Sequence, residues 1–253
     1  MDKQPWKILV CLSVLGIMLS SFSIEEKITV YLIGDSTMSI KEESAYPETG
    51  WGMPFKYFFD STVVVSNHAR NGRSTRTFIS EGRWAAVTSA LKKGDYVFIQ
   101  FGHNDESEPK TDRYTPPDQY KLNLKKFISE TRAAGATPVL LTPVSRRKFS
   151  NGQAVETHEL YSSLVREVAK DEKVAFIDLD VKSRALYQEF GEQNSALLFL
   201  QLKPGEHPNY PDGKNDNTHF SELGARLIAQ IILNEIKQSD LPLKERIVKP
   251  VRK

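Results

Sequence analysis

Cysteine is nearly absent from this 253-residue chain: one occurs, Cys11, so no intramolecular disulfide can form. No long run of one charge exists either, and 34 Lys+Arg against 32 Asp+Glu leave a net charge of +2. That balance excludes the strong electrostatic footprint of a nucleic-acid-binding or anionic-membrane-binding protein, and no nucleic-acid partner is expected. Internal repeats, low-complexity tracts and Pro/Gly/Ser linkers are missing, which argues against solenoids and multidomain arrays. With 40% hydrophobic residues the chain has enough apolar material for one substantial core.

Two catalytic signatures are also lacking. No G-x-S-x-G elbow occurs, which argues against the common α/β-hydrolase arrangement. His207 and His219, with Asp212 and Asp216 between them, lack the spacing of a zinc site, and no H-E-x-x-H or Cys-rich pattern is present. No metal and no cofactor are expected.

At the amino terminus, Lys3 and Lys7 precede the apolar run Ile8 to Met18 and the small polar Ser20, Ser21 and Ser23. That order reads as a secretory signal peptide over residues 1–23, its apolar core too short for a permanent span. Cleavage would leave 230 residues with a net charge of +1 and no cysteine. The expectation is a secreted or periplasmic domain, residues 24–239, followed by a polar, proline-punctuated tail at 240–253 that frays.

Short β-rich runs alternate with amphipathic segments through this domain. Strands are expected at Ile28 to Ile33, Thr62 to Ser66, Tyr96 to Phe101, Pro138 to Thr142 and Val174 to Asp178, and helices at Pro54 to Phe59, Arg83 to Leu91, Pro117 to Ala134, Thr157 to Asp171 and Glu222 to Ile236. The alternation implies a mainly parallel sheet covered on both faces. Gln201 to Asn217, rich in Pro and Gly, reads as a long functional loop.

In such sheets, sites gather at the carboxyl ends of the strands. The first strand ends in Gly34-Asp35-Ser36-Thr37, a hydroxyl directly after a buried run; a capped turn explains the same residues. The second leads into Asn67 to Ser74, where Gly72 could bring a backbone N–H close to a reacting atom or close an ordinary Asn-Gly turn. The third ends in Gly102-His103-Asn104-Asp105, with the Asn104 amide as a possible donor. Asp216-Asn217-Thr218-His219, before the last helix, can pair a carboxylate with an imidazole through a single turn, or cap that helix. Together the four supply a nucleophile, a base with its orienter, and oxyanion donors.

These blocks, in this order, resemble the GDSL or SGNH hydrolase family, and the Ala69 to Ser74 stretch, Phe101 to Asp105 and the Trp51 segment look like its rhamnogalacturonan acetylesterase branch. The resemblance implies a flavodoxin-like, three-layer α/β/α fold with a mainly parallel five-stranded sheet. It further implies Ser36 as nucleophile, His219 as base, Asp216 as its partner, and Ser36 N–H, Gly72 N–H and the Asn104 side chain as oxyanion hole. Members of that branch deacetylate the galacturonate-containing backbone of pectin, so the expected partner is an acetylated pectic polysaccharide. Arg73, Arg76 and His68 could face its carboxylates, and Trp51 could line an acetyl pocket; helix capping, surface pairing and core packing are the competing readings. Xylan or lipid esters, or non-catalytic carbohydrate binding on the same scaffold, are the alternative functions.

Overall fold

A computed structural model describes residues 27–249. The expected leader at 1–23, Cys11 included, lies outside the described residues. The described residues hold nine strands: β1 (Ile28–Gly34), β2 (Val63–Asn67), β3 (Tyr96–Gln100), β4 (Thr137–Leu141), the two-residue β5 (Phe149–Ser150) and β6 (Gln153–Ala154), β7 (Ala175–Ile177), β8 (Phe199–Leu202) and β9 (Lys214–Phe220). The helices are α1 (Gly52–Phe55), α2 (Thr75–Ser80), α3 (Arg83–Thr88), α4 (Pro117–Ala133), α5 (Glu159–Glu172), α6 (Leu179–Asn194) and α7 (Glu222–Gln238).

Five strands form one parallel sheet in the order β2-β1-β3-β4-β7, which matches the expected three-layer architecture. The side-chain period of two divides its core. Val30, Leu32, Phe98, Val139 and Leu141 enter a cluster with Phe55, Tyr187, Ile228 and Ile232, covered by α1, α6 and α7. Tyr31, Ile33, Val97, Ile99 and Leu140 enter a second cluster with Phe78, Trp84, Phe127 and Val165, covered by α2 to α5. The chain leaves β1 toward β2 on one side while β3 lies on the other, so the strand order reverses at β1. A crevice forms at such a reversal, outside the carboxyl ends of the strands.

Three expectations need correction. Gln201 to Asn217 is not a free loop: it holds most of an antiparallel hairpin, β8 with β9, closed by residues 203–213. Its second strand is polar from Lys214 to His219 and lacks alternation, so no strand signal marks it. The segment after Asp240 does not fray within the described residues. Pro242–Arg246 forms a 3₁₀ turn, Leu243 is fully buried, and Val248 N–H donates to Phe58 O at 2.9 Å. Finally, α2 and α6 carry no helix expectation. α2 is short, and α6 is interrupted at Gly191, whose φ of 74° breaks the helical pattern.

Candidate active site

Ser36 lies on the turn that follows β1, at the reversal point of the sheet. The turn is held by its own side chains. Asp35, fully buried, accepts hydrogen bonds at Oδ1 from Thr37 N–H (3.0 Å) and Thr37 Oγ1 (2.8 Å). Thr37 Oγ1 accepts from Gln100 Nε2 (2.8 Å), and Gln100 Oε1 accepts from Trp51 Nε1 (2.6 Å). Behind it, Asp35 Oδ2 approaches His103 Nδ1 to 3.3 Å, without hydrogen-bond alignment. Burial opposes charge on both groups. The nearby imidazole and the Thr37 bonds outweigh burial at Asp35 and hold its carboxyl at about 2. Burial and the neighbouring His158 push His103 down to about 4. At neutral pH the pair is therefore a carboxylate beside a neutral ring.

The base arrives from the hairpin. Across β8 and β9 the register steps from Phe199↔Phe220 to Leu200↔Asp216, so Asn217, Thr218 and His219 have no counterpart on β8 and bulge outward. This corrects the expected helix start: the Asp–His turn belongs to β9, and Ser221, not Asp216, caps α7. Asp216 Oδ1 accepts from Thr218 N–H (2.7 Å) and His219 N–H (3.0 Å), which closes the bulge. Its Oδ2 meets His219 Nδ1 at 2.8 Å, and His219 Nε2 meets Ser36 Oγ at 2.9 Å. Burial would raise the Asp216 carboxyl, but the bonds from His219 and Thr218 hold it well below the usual carboxylate range. An ionised Asp216 can only accept, so Nδ1 carries the proton and the Nε2 lone pair faces Ser36.

Ser36, Gly72, Asn104 and His219 line one open cleft of 770 Å³. Gly72 has φ of +76°, which favours glycine, and a β-carbon there would stand 3.1 Å from Arg113 Nη1. The backbone N–H groups of Ser36 and Gly72 donate to no acceptor among the described residues. Asn104 Nδ2 donates to Arg73 O at 3.1 Å, which fixes the amide and leaves its second proton unused. Three N–H protons in the residues lining this cleft thus have no acceptor among the described residues.

The residues expected to contact substrate fare differently. Arg73 lines the cleft, but its guanidinium pairs with Glu81 (3.0 Å). Arg76 lies outside the cleft lining and donates to Thr111 O at 2.6 Å. His68 is half-buried outside the lining, with Nε2 2.9 Å from Ser66 Oγ and its ring against Tyr31. Trp51 is fully buried and packs edge-on against Phe55, so it is a core residue rather than a pocket wall. Lys110, Arg113 and Arg146 line the cleft instead. No local motif marks them in the sequence. Among the described residues, no cluster of three or more His, Cys, Asp or Glu is arranged to hold a metal ion.

A hydroxyl, an imidazole and a carboxylate in series at the carboxyl edge of a parallel three-layer sheet define a carboxylic-ester hydrolase of the SGNH type. Comparison with known proteins agrees. The chain belongs to the GDSL-like lipase/acylhydrolase family, whose model matches residues 32–227. It is 42% identical over 225 residues to the rhamnogalacturonan acetylesterase RhgT of Bacillus subtilis, covering 88% of this chain and 96% of that one. It is 37% identical to the probable rhamnogalacturonan acetylesterase YesY of the same organism, over 87% of this chain and 97% of that one. Among solved structures, the Bacillus subtilis YxiM protein superposes with a TM-score of 0.74 at 27% identity; the match covers 85% of this chain and 58% of that one.

Proposed function

We propose that this protein is an exported acetylesterase that removes acetyl groups from rhamnogalacturonan, the galacturonate-containing part of pectin, through an acyl-enzyme on Ser36. The observation that carries the mechanism is the aligned series Ser36 Oγ, His219 Nε2, His219 Nδ1 and Asp216 Oδ2 opening on the cleft. The substrate class rests on the near-full-length similarity to rhamnogalacturonan acetylesterases. Export rests on the charged, apolar and small-residue order of residues 1–23.

The steps follow from the geometry. His219 Nε2 takes the Ser36 proton as Oγ bonds to the acetyl carbon. The carbonyl oxygen becomes an oxyanion held by Ser36 N–H, Gly72 N–H and Asn104 Nδ2. The bond to the sugar oxygen then breaks, and that oxygen takes the proton from His219. Water repeats the sequence on the acetyl-enzyme, releasing acetate and restoring Ser36. Asp216 holds the ring in the productive tautomer and stabilises the imidazolium.

Acetate release from acetylated rhamnogalacturonan, homogalacturonan and xylan, with Ser36→Ala as control, tests the reading. The expected result is preference for rhamnogalacturonan and loss of release in the variant. Preference for xylan would overturn the substrate and spare the mechanism, whereas release by Ser36→Ala would overturn the mechanism.

A further inference from the structure

One wall of the cleft is the loop between Asp105 and Thr115, closed at its neck by Thr115 N–H donating to Asp105 O at 3.0 Å. Arg76 ties the loop to α2 through Thr111 O. Inside it, Arg113 N–H and Tyr114 N–H both donate to Lys110 O, at 3.0 and 2.9 Å. Lys110 and Arg113 line the same cleft as Ser36 and Gly72. Arg113 stands close to the chemistry, because its guanidinium lies against the Gly72 backbone, whose N–H is one of the oxyanion donors proposed above.

The charge state of the lining decides what this pair can do. Other cations around the cleft already have carboxylate partners: Arg73 pairs with Glu81, Arg146 with Glu106, and the buried Lys41 with Glu48. Arg113 has only Asp112, its chain neighbour, which accepts from Nε (3.2 Å) and Nη2 (3.0 Å) and whose side chain is 67% exposed. Such exposed pairs are weak and are displaced at little cost. The Lys110 ammonium has no hydrogen-bond or ion-pair partner among the described residues. The cleft therefore presents two cations to a ligand carboxylate: the Lys110 ammonium, and the Arg113 guanidinium, whose Nη1 beside Gly72 has no partner among the described residues.

We propose that Lys110 and Arg113 form a carboxylate-binding arm, which holds a uronate carboxylate of the sugar chain while a neighbouring acetyl group is presented to Ser36. The inference rests on the pectic reading above and names the charge contact of that same site. The contact is made in ground state and transition state alike, so its loss belongs in KM rather than kcat.

The test is a ratio measured in each sample: kcat/KM on an acetylated rhamnogalacturonan oligosaccharide divided by kcat/KM on neutral 4-nitrophenyl acetate. The ratio cancels any difference in folded fraction. Arg113→Gln should lower it about ten- to hundredfold, the range of a charge-assisted hydrogen bond, with Lys110→Gln in the same direction. Added salt should lower the wild-type ratio and leave that of the double variant nearly flat. A ratio that holds in both variants, or a salt response that survives in the double variant, overturns the arm. Wild type that cleaves the neutral ester but releases nothing from the oligosaccharide overturns the pectic reading and the arm with it. Wild type active on both, with variants that keep the ratio, overturns the arm alone.

Discussion

Asp216→Asn isolates what the carboxylate does, because the structure dictates how the new amide must sit. Asp216 Oδ1 accepts two backbone N–H bonds, from Thr218 and His219, which only an oxygen can accept. The asparagine carbonyl therefore stays on that side, and its NH₂ takes the place of Oδ2, 2.8 Å from His219 Nδ1. A donor there needs a lone pair on Nδ1, which moves the ring proton to Nε2 and turns it toward Ser36 Oγ, where a base is required. Two losses follow. Restoring the working tautomer sets N–H against N–H, at a cost of about 1–2 kcal/mol. The imidazolium also loses its counter-charge; two charges ~4 Å apart at an effective dielectric of ~20 interact by about 4 kcal/mol. Together these amount to roughly 10⁴-fold in kcat/KM. The assay is 4-nitrophenyl acetate hydrolysis, with circular dichroism to confirm the fold. Asp216→Ala offers no opposing donor, but it also removes the acceptor for the Thr218 and His219 N–H groups that close the bulge, so its loss combines misplacement of His219 with the lost charge. A loss below tenfold in Asp216→Asn refutes the assigned tautomer.

Asn104→Ala removes one oxyanion donor and should cost about 2.7–4 kcal/mol of transition-state stabilisation, seen mainly in kcat, with melting temperature little changed. Wild-type acetyl-ester turnover in that variant would dismiss the role. Two buried groups should tilt the pH dependence of stability in opposite directions. His103, depressed to about 4, contributes stability that is complete above its unfolded value of 6.5 and is lost as pH falls toward 4. Asp105, raised by burial to about 7, contributes stability that is complete below 3.8 and is lost as pH rises through 7. Asp105→Asn should therefore gain on wild type as pH rises from about 4 to 7 in urea titrations, and His103→Gln should gain on it as pH falls from about 6.5 to 4; a slope of the opposite sign in either variant would contradict that residue's environment. Leu243→Ala, in the segment expected to fray, should cost about 2–5 kcal/mol by the same titration, because the side chain is fully buried against the α7 face of the core.

The fold was legible where burial and period coincide. β1, β3 and β4 are buried on both faces and read as continuous apolar runs, while α4 carries Pro117 at its first turn and Gly135 just past its end. The β8–β9 hairpin was not legible, because β9 is polar from Lys214 to His219 and only its last residue, Phe220, enters the core. Trp51 misleads for a related reason. Its flanking glycines suggest an open pocket, yet a β-carbon on Gly50 would stand 2.0 Å from Ser39 O, and one on Gly52 would stand 2.6 Å from Met38 O. Those glycines let two backbones touch, and the tryptophan between them seals the contact from the core side.

The four polar blocks stand out in the sequence because ester hydrolysis restricts them to a few residue types and the sheet restricts them to strand ends. Charge contacts to a substrate obey neither restriction. Arg73 and Arg76 sit beside Gly72 in sequence, yet α2 begins at Thr75, and its C-cap Glu81 reaches back to Arg73 while Arg76 turns to Thr111. Nearness to a motif thus says little about whether a cation is free; that depends on which carboxylates the fold brings within about 4 Å of it. Lys110 and Arg113 come from a loop that no motif marks, and they keep their charge available because that loop brings only the exposed Asp112 close to them.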